Sequence, residues 1–469
     1  MSRKTSIFVV MLMAGAVSLK AAVWLAHAPV AAAQATPSPV TCAQTRASTA
    51  AFAPAPTVID ATCAVIPFDF VGVQEQQGNF DMESWLDFVA LNWPAATGCV
   101  PDPKLNILTA KPNPVWLSWL QDSDIFVASG SQPAKWCFGV TPGAAAATRA
   151  ARTARLAKLP PKVRTIAEQH PEVQLFLHQS AKASHHSIGL QEAVAGNPKI
   201  QEVFQSTGDI LVDQNGRWAR YTVSVNQTEY KNILAQNLWN MPGQKAAKNI
   251  TFTPSNKATN EIGAIELKAA WKVLGAGDDP THFFTMQAVI YNDASGDPSP
   301  EKQPVTVGLV GFHINHKTAL QKTWTWSTFE QIENDTKSFY NPSCAPAQCP
   351  PNTKTVSNPT TAQELNAQGK PNYKPAQVVA VTPTSAGTVN TAFQKLLKGT
   401  PFAYYQLIST QWTGELGNTP KPPTLGNSVQ ETFVPNGSMY GCLNCHKSAV
   451  ARGNQPSDLS WLLYFAVQQ

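Results

Sequence analysis

The sequence predicts an α+β protein with a central, mostly antiparallel sheet, flanking helices and long loops. Three observations point there. Several short runs alternate apolar and polar residues, others repeat apolar residues at helical spacing, and 37 prolines with 27 glycines punctuate them. A chain of 469 residues, 43% hydrophobic with 13 Trp and 20 Phe, has enough apolar surface for a large core, which excludes a disordered protein.

Taken in order, residues 1–35 predict a signal peptide. Arg3 and Lys4 precede an apolar run from Ile7 to Leu19, and a second apolar stretch ends in the small-x-small site Ala33-Gln34-Ala35. Lys20 argues against an uncleaved anchor, because an intact span would bury it near the middle. Pro39-Val40-Thr41 before Cys42 is no lipobox, and no later run approaches the ~20 apolar residues of a spanning helix. The mature chain is therefore expected in the periplasm or secreted, without stable membrane insertion. Residues 36–60, rich in Ala, Pro and Thr, read as a flexible lead-in, and residues 61–469 as a single domain.

Within that domain, Met82, Trp85, Leu86, Val89 and Trp93 lie at helical spacing until Pro94 stops the run. Residues 142–157 read as an exposed helix whose arginines form a solvated face. Tyr221, Val223 and Val225 alternate with polar residues as in a half-buried strand. Asn226 is placed to cap a following helix, with Glu229 three residues on and Tyr230, Ile233, Leu234 and Leu238 along one face. Further strands are predicted in 282–291, 305–314 and 402–410. A long loop at about 341–374 contains Cys344 and Cys349, the favoured pair for a local bridge. Cys42–Cys63 and Cys99–Cys137 are the pairings chosen from the 15 that six cysteines allow.

Only 14% of residues are charged, and no Lys/Arg cluster suggests a nucleic-acid partner. The formal charge of +5 falls to +2 once Arg3, Lys4 and Lys20 leave with residues 1–35, so the apparent basicity names no acidic partner.

One motif stands above the rest: Cys442-Leu443-Asn444-Cys445-His446. Cys-x-x-Cys-His is the attachment pattern of c-type haem. Two thiols three positions apart can each add to one porphyrin vinyl group, and the imidazole that follows reaches the iron as proximal ligand. The chain's own Cys and His frequencies give about 0.003 chance occurrences, so coincidence is a poor explanation. A redox Cys-x-x-Cys would follow a strand in a βαβ unit, whereas here a loop precedes it. The motif's cysteines have two further uses open to them: zinc held together with Cys344 and Cys349, and a plain disulfide. No HExxH, Walker, GxSxG or dinucleotide-binding glycine motif is present.

Only 23 residues follow His446, and they hold neither Met nor His. Any sixth protein ligand therefore precedes Cys442. That excludes the small cytochromes whose motif comes first. Residues 375–440 carry too much Pro, Gly and Thr for a four-helix cytochrome. Candidate methionines are Met82, Met241, Met286 and Met439. Candidate histidines are His170, His178, His185, His186, His282, His313 and His316. Met439 is tethered three residues from Cys442, and Met286 sits on an apolar strand as core. His313 and His316, three apart in a strand, must face opposite sides. His313 is the distal candidate chosen, with an open coordination site as the equal alternative. Trp324 and Trp326 share a strand face near Phe329, Glu330 and Glu333; they read as core and solvated carboxylates, or else as aromatic wall and proton shuttle.

Several stretches resemble a family of large, secreted, single-haem bacterial proteins of undefined role. They are SWLDFVALNWPA (84–95), TVSVNQTEY (222–230), IELKAAWKVL (265–274), VGFHINHKT (310–318), TWTWSTFEQIEN (323–334), NSVQETFVPNGSMYGCLNCH (427–446) and DLSWLLYFA (458–466). The resemblance implies cytochrome c-like haem binding and electron transfer, and supplies neither substrate nor distal ligand. The expectation is one covalent haem c held by Cys442, Cys445 and His446 on a C-terminal tether, passing single electrons to an unidentified redox partner. The alternative is a haem-dependent oxidoreductase, a peroxidase or small-molecule oxidase with an open distal site, because the scaffold exceeds what a shuttle requires.

Overall fold

The computed structural model describes residues 38–465 apart from 96–98, 111–112, 128–129, 140–146, 179–209, 292–295, 322, 342–363, 377, 379–382, 384, 414–418 and 433–440. The expected signal peptide, Cys344, Cys349, His185, His186 and Met439 lie outside the described residues. Residues Pro39–Gln469 form one unit. Its helices are α1 (Cys42–Arg46), α2 (Gln77–Leu91), α3 (Asp122–Ile125), α4 (Ala147–Lys158), α5 (Pro161–Gln169), α6 (Gln227–Ala235), α7 (Met241–Ala246), α8 (Gly387–Leu396) and α9 (Cys442–His446). The strands are β1 (Leu120–Gln121), β2 (Val173–His178), β3 (Arg220–Val225), β4 (Ile265–Val273), β5 (Thr285–Tyr291), β6 (Val305–His316), β7 (Thr325–Gln331) and β8 (Tyr405–Gln411).

Among the described residues the eight strands form one sheet, antiparallel except where β2 pairs with β5, and with the flanking helices it makes the fold α+β. Its path runs β1-β3-β4-β6-β5-β2, and it forks at β6. The first half of β6 pairs with β5, from Val305↔Ala288 to Gly308↔Thr285. The second half pairs with β7, from Gly311↔Glu330 to His316↔Thr325, and β8 extends that branch. Strand β4 lines the other side of β6 along its length.

At the fork the ladder bonds run out, and buried backbone groups need other partners. Tyr405 supplies them: its hydroxyl donates to the Leu309 carbonyl at 2.8 Å and accepts from the Phe284 N–H at 3.0 Å. Asn334 donates to the Val310 carbonyl at 2.7 Å. Burial pushes the Tyr405 phenol far up, so it stays a donor.

Both faces of the sheet are covered. On one, Leu267, Ala269 and Trp271 of β4, with Phe312 and Ile314 of β6, pack against Trp85 and Phe88 of α2 and Phe393 of α8. Phe88 stacks on Phe329 at 4.5 Å, and Trp85 on Phe393 at 5.1 Å. On the other, Val223, Val225, Trp324 and Trp326 pack under Leu443, Ala451, Leu462 and Leu463 of the C-terminal segment. Helix α2 is buried all round, from Asn79 to Leu91, which its one-face apolar spacing did not foretell. Asn226 caps α6, accepting from the Glu229 N–H at 3.0 Å, but Glu229 does not reach back to complete a box. The helix ends at Ala235, so Leu238 packs from beyond it. Among the described residues no helix is long and apolar enough to cross a membrane.

Residues 39–60 are a correction to the flexible lead-in. Thr41 closes a capping box on α1, Cys42 is joined to Cys63, and Cys42, Ala53 and Ile59 enter the main core. Ala/Pro-rich composition resembles a linker, but three buried side chains and a crosslink suffice to anchor it. The second disulfide joins Cys99 to Cys137.

Replacing Tyr405 by Phe leaves a donor and an acceptor unpaired at the fork. The expected loss is about 1–3 kcal/mol, read as a lower urea midpoint at unchanged slope.

Candidate functional site

The motif helix α9 is a single turn, and the sheet dictates where it lies. Gly441 precedes it with no Cβ, which would approach Gln411 Nε2 to 2.3 Å. Gln411 cannot readily yield, since its Oε1 accepts from the Leu443 N–H at 2.8 Å and its Nε2 donates to the Pro422 carbonyl at 2.7 Å. The end of β8 thus holds the first turn, and Leu443 enters the core beneath it. Trp461 donates to the Cys445 carbonyl at 3.3 Å from the other side.

One turn brings Cys442, Cys445 and His446 together, each half-buried. Neither cysteine is in a disulfide. Burial pushes both thiols up, and Glu431 adds to the effect on each. His446 Nδ1 lies 2.6 Å from the Leu459 carbonyl. A carbonyl only accepts, so Nδ1 carries the proton and Nε2 keeps its lone pair. Burial pushes His446 down to about 4, which keeps the ring neutral near pH 7. A histidine so oriented is prepared to ligate through Nε2.

The Leu459 carbonyl is aimed by unusual backbone. Asp458 and Leu459 have φ of 51° and 68°, the left-handed region that non-glycine residues rarely adopt. Side-chain contacts hold them there: Asp458 accepts from the Phe252 N–H at 2.7 Å and pairs with Lys317, and its carbonyl accepts from Trp324 at 2.7 Å. Strain of this kind persists only where surroundings over-determine it.

Beneath α9, alternation along the strands gathers polar residues on one face. His313 pairs across the ladders with Lys268 and with Thr328, Asn315 with Glu266 and with Trp326. Segment 427–432 crosses this face: Asn427 donates to Thr328 Oγ1 at 3.0 Å and to the Phe329 carbonyl at 2.9 Å, and Ser428 donates to Glu330. Gly311 makes room, since a Cβ there would meet Val429 at 2.7 Å. Glu431 Oε2 lies 3.5 Å from His313 Nε2. Burial works against the Glu431 carboxylate, but His313 and Lys268 hold it below the usual range. Burial lowers Lys268, with Glu431, Glu266 and Cys445 opposing. His313 stands close enough that its charge acts on His446.

Several of the other ligand candidates are placed elsewhere by their contacts; Met241 opens α7, and the side chain of His178 lies outside the described residues. Met82 and Met286 are in the α2-side core. His316 points to that side too, hydrogen-bonding Asp87 at 3.2 Å and Ser255 at 3.1 Å. His170 pairs with exposed Glu172, and His282 stacks on Tyr404 and pairs with Glu333. Trp326 lies 6.0 Å from the His446 ring. Glu330, expected to be solvated or to shuttle protons, is buried under Ser428, which moves it far from the solvated reading. Lys268, Glu431, Gln411 and Leu459 were not singled out from the sequence. Lys268 and Glu266 alternate with Ile265, Leu267 and Ala269, and that pattern could have marked them as facing a second, polar interior.

Searches of family models, curated proteins and solved structures found no match to this chain.

Burial pushes Glu330 up to about 8, against the two Ser428 bonds. Between roughly pH 4.5 and 8 the folded chain therefore binds a proton that the unfolded chain has lost, so this residue's stabilisation declines as pH rises through that window. Glu330→Gln mimics the protonated acid. Its stability relative to the parent should climb from pH 5 to pH 8, as followed by denaturant midpoints; a flat difference would show an ordinary carboxylate.

Proposed function

We propose that this chain is an exported c-type haem protein that passes single electrons. The observation that carries it is the His446 Nδ1–Leu459 hydrogen bond, which leaves Nε2 as a free ligand beside two unbridged thiols on the same turn. The donor set fits the group: Cys442 and Cys445 would be its thioether anchors, and His446 would ligate the iron. Haem bound there supplies the one-electron couple of its iron.

The chain's own residues prepare the rest. Leu459 strengthens His446 as a donor and fixes its orientation. Trp326, Leu443 and Leu462 give the motif an apolar floor, which favours the less charged redox state. His313 is the candidate distal ligand, on the strand face the motif segment covers. Export is supported by the leader pattern of residues 1–35 and by two disulfides, which persist in oxidising compartments. The resemblance of the C-terminal stretches to secreted single-haem proteins points the same way.

A second function, a haem peroxidase or small-molecule oxidase, is favoured by one observation. His313 and Glu431 form a histidine–carboxylate pair beside the motif, an arrangement that can hold and move a proton.

Two experiments test these assignments. On a denaturing gel stained for haem peroxidase activity, the parent chain should stain and Cys445→Ala should lose most of the signal; an unstained parent overturns the haem assignment. The ferric spectrum should be low-spin and indifferent to carbon monoxide on reduction, turning high-spin in His313→Ala. A high-spin parent that reacts rapidly with peroxide, with the rate falling ~10²-fold or more in His313→Ala, contradicts the carrier and supports the enzyme.

A further inference from the structure

On the opposite face of the sheet, two carboxylates and an imidazole meet in the core. Glu83 and Asp87 stand four residues apart on α2, hence on one side of that helix. His316 comes from the last position of β6. Each is at most 1% exposed. His316 Nδ1 lies 3.2 Å from Asp87 Oδ2 and 3.8 Å from Glu83 Oε1, and one ligating atom from each residue falls within 4.8 Å of the others.

Three carboxylate oxygens in this cluster have no hydrogen-bond partner among the described residues: both of Glu83 and Oδ1 of Asp87. Several other buried acids of this protein are answered. Glu364 takes Arg217 and Arg220, Asp81 takes Gln77, Ser385 and the Thr410 N–H, and Glu330 takes Ser428. Glu229, likewise without a hydrogen bond, has the charge of Lys317 acting on it. An unanswered buried carboxylate costs several kcal/mol, and two side by side add repulsion. A third acid, Asp69, stands near enough to act on Glu83. His316 hydrogen-bonds Asp87, whereas it stands 3.8 Å from Glu83 without a hydrogen bond to it.

We propose that Glu83, Asp87 and His316 bind one divalent transition-metal ion, Zn2+ or Mn2+. Two carboxylates neutralise such an ion, and mixed oxygen and imidazole donors suit it better than Ca2+, which takes oxygen alone. A tetrahedral ion with bonds of about 2.0–2.2 Å separates its ligand atoms by roughly 3.4 Å, between the 3.2 and 3.8 Å that His316 Nδ1 already keeps from the two carboxylates. His316 would ligate through Nδ1, with Nε2–H donating to Ser255 Oγ at 3.1 Å as the orienting outer bond. Ser255 is itself fixed by the Gly263 N–H at 2.8 Å. The ion would join α2 to the end of β6, and its site is separate from the Cys-x-x-Cys-His face because His313 and His316 project from opposite sides of one strand.

The test is metal content per chain, measured by mass spectrometry on full-length protein from cells grown with Zn2+ or Mn2+ and from chelator-treated medium. The parent should carry about one Zn2+ or Mn2+, and its thermal midpoint should be roughly 2–5 °C higher in the loaded form. Glu83→Gln and Asp87→Asn should carry less than about a tenth of that metal, with midpoints indifferent to the medium. No Zn2+ or Mn2+ in the parent overturns the proposal, whatever the variants do. So does equal metal in parent and Glu83→Gln, which would place the ion elsewhere, at a surface group such as His282 with Asp279. A metal-free parent that Glu83→Gln matches or exceeds in stability would identify Glu83 as a neutral buried acid.

Discussion

Strand β6 constrains the rest of the structure. Among the described residues it is the one strand that hydrogen-bonds to three others, so its twelve residues set the register of both branches of the sheet. The period of two then does the sorting. Phe312, Ile314 and His316 go to the α2 side, while His313 and Asn315 go to the side covered by the C-terminal segment. A slip of one residue would exchange the two histidines and send Phe312 and Ile314 into the polar face. The fork held by Tyr405 and Asn334 is what permits β6 to serve both branches without leaving backbone groups unpaired.

The two faces handle buried charge differently. On the motif side, most charges are answered within the chain: Glu431 by His313 and Lys268, Glu266 by Ser460, Glu330 by Ser428. Burial still pushes Glu266 up to about 7 and Glu330 to about 8, so acids there are held partly or wholly neutral near pH 7. That limits the net charge against which the motif's ring and thiols are set. On the α2 side, Glu83 has no hydrogen-bond donor among the described residues, and this asymmetry within one sheet carries the proposed cation site. A charge cluster that is complete needs no ligand; an incomplete one calls for a proton or an ion.

Much of this was legible in the sequence, for identifiable reasons. Strands β3, β5 and β6 showed because β-branched and aromatic residues alternate or run together between turn signals, and the Asn226 cap showed because its side chain acts locally. The opposite orientation of His313 and His316 followed from spacing alone. Strand β4 was not recognised, although it is central: Glu266, Lys268 and Lys272 sit in IELKAAWKV as if solvated, and only tertiary structure buries them. Helix α2 was found, but its burial on every side was hidden by Asp81, Glu83 and Asp87. The candidate site was legible as three residues, since the Cys-x-x-Cys-His spacing is local to one turn. Leu459, Lys268, Glu431 and Gln411 were not, because each reaches the motif through the fold and no local pattern links them to it.

The central claim is that the turn Cys442–His446 carries a covalently bound haem over the His313 face of the sheet. The intact mass of the chain isolated under denaturing, reducing conditions tests it most directly, followed by fragmentation to locate any added mass. The account predicts the polypeptide plus one haem, with the increment confined to the peptide that contains Cys442 and Cys445. Unmodified thiols at both positions, in a chain taken from cells competent for cytochrome c maturation, would contradict it.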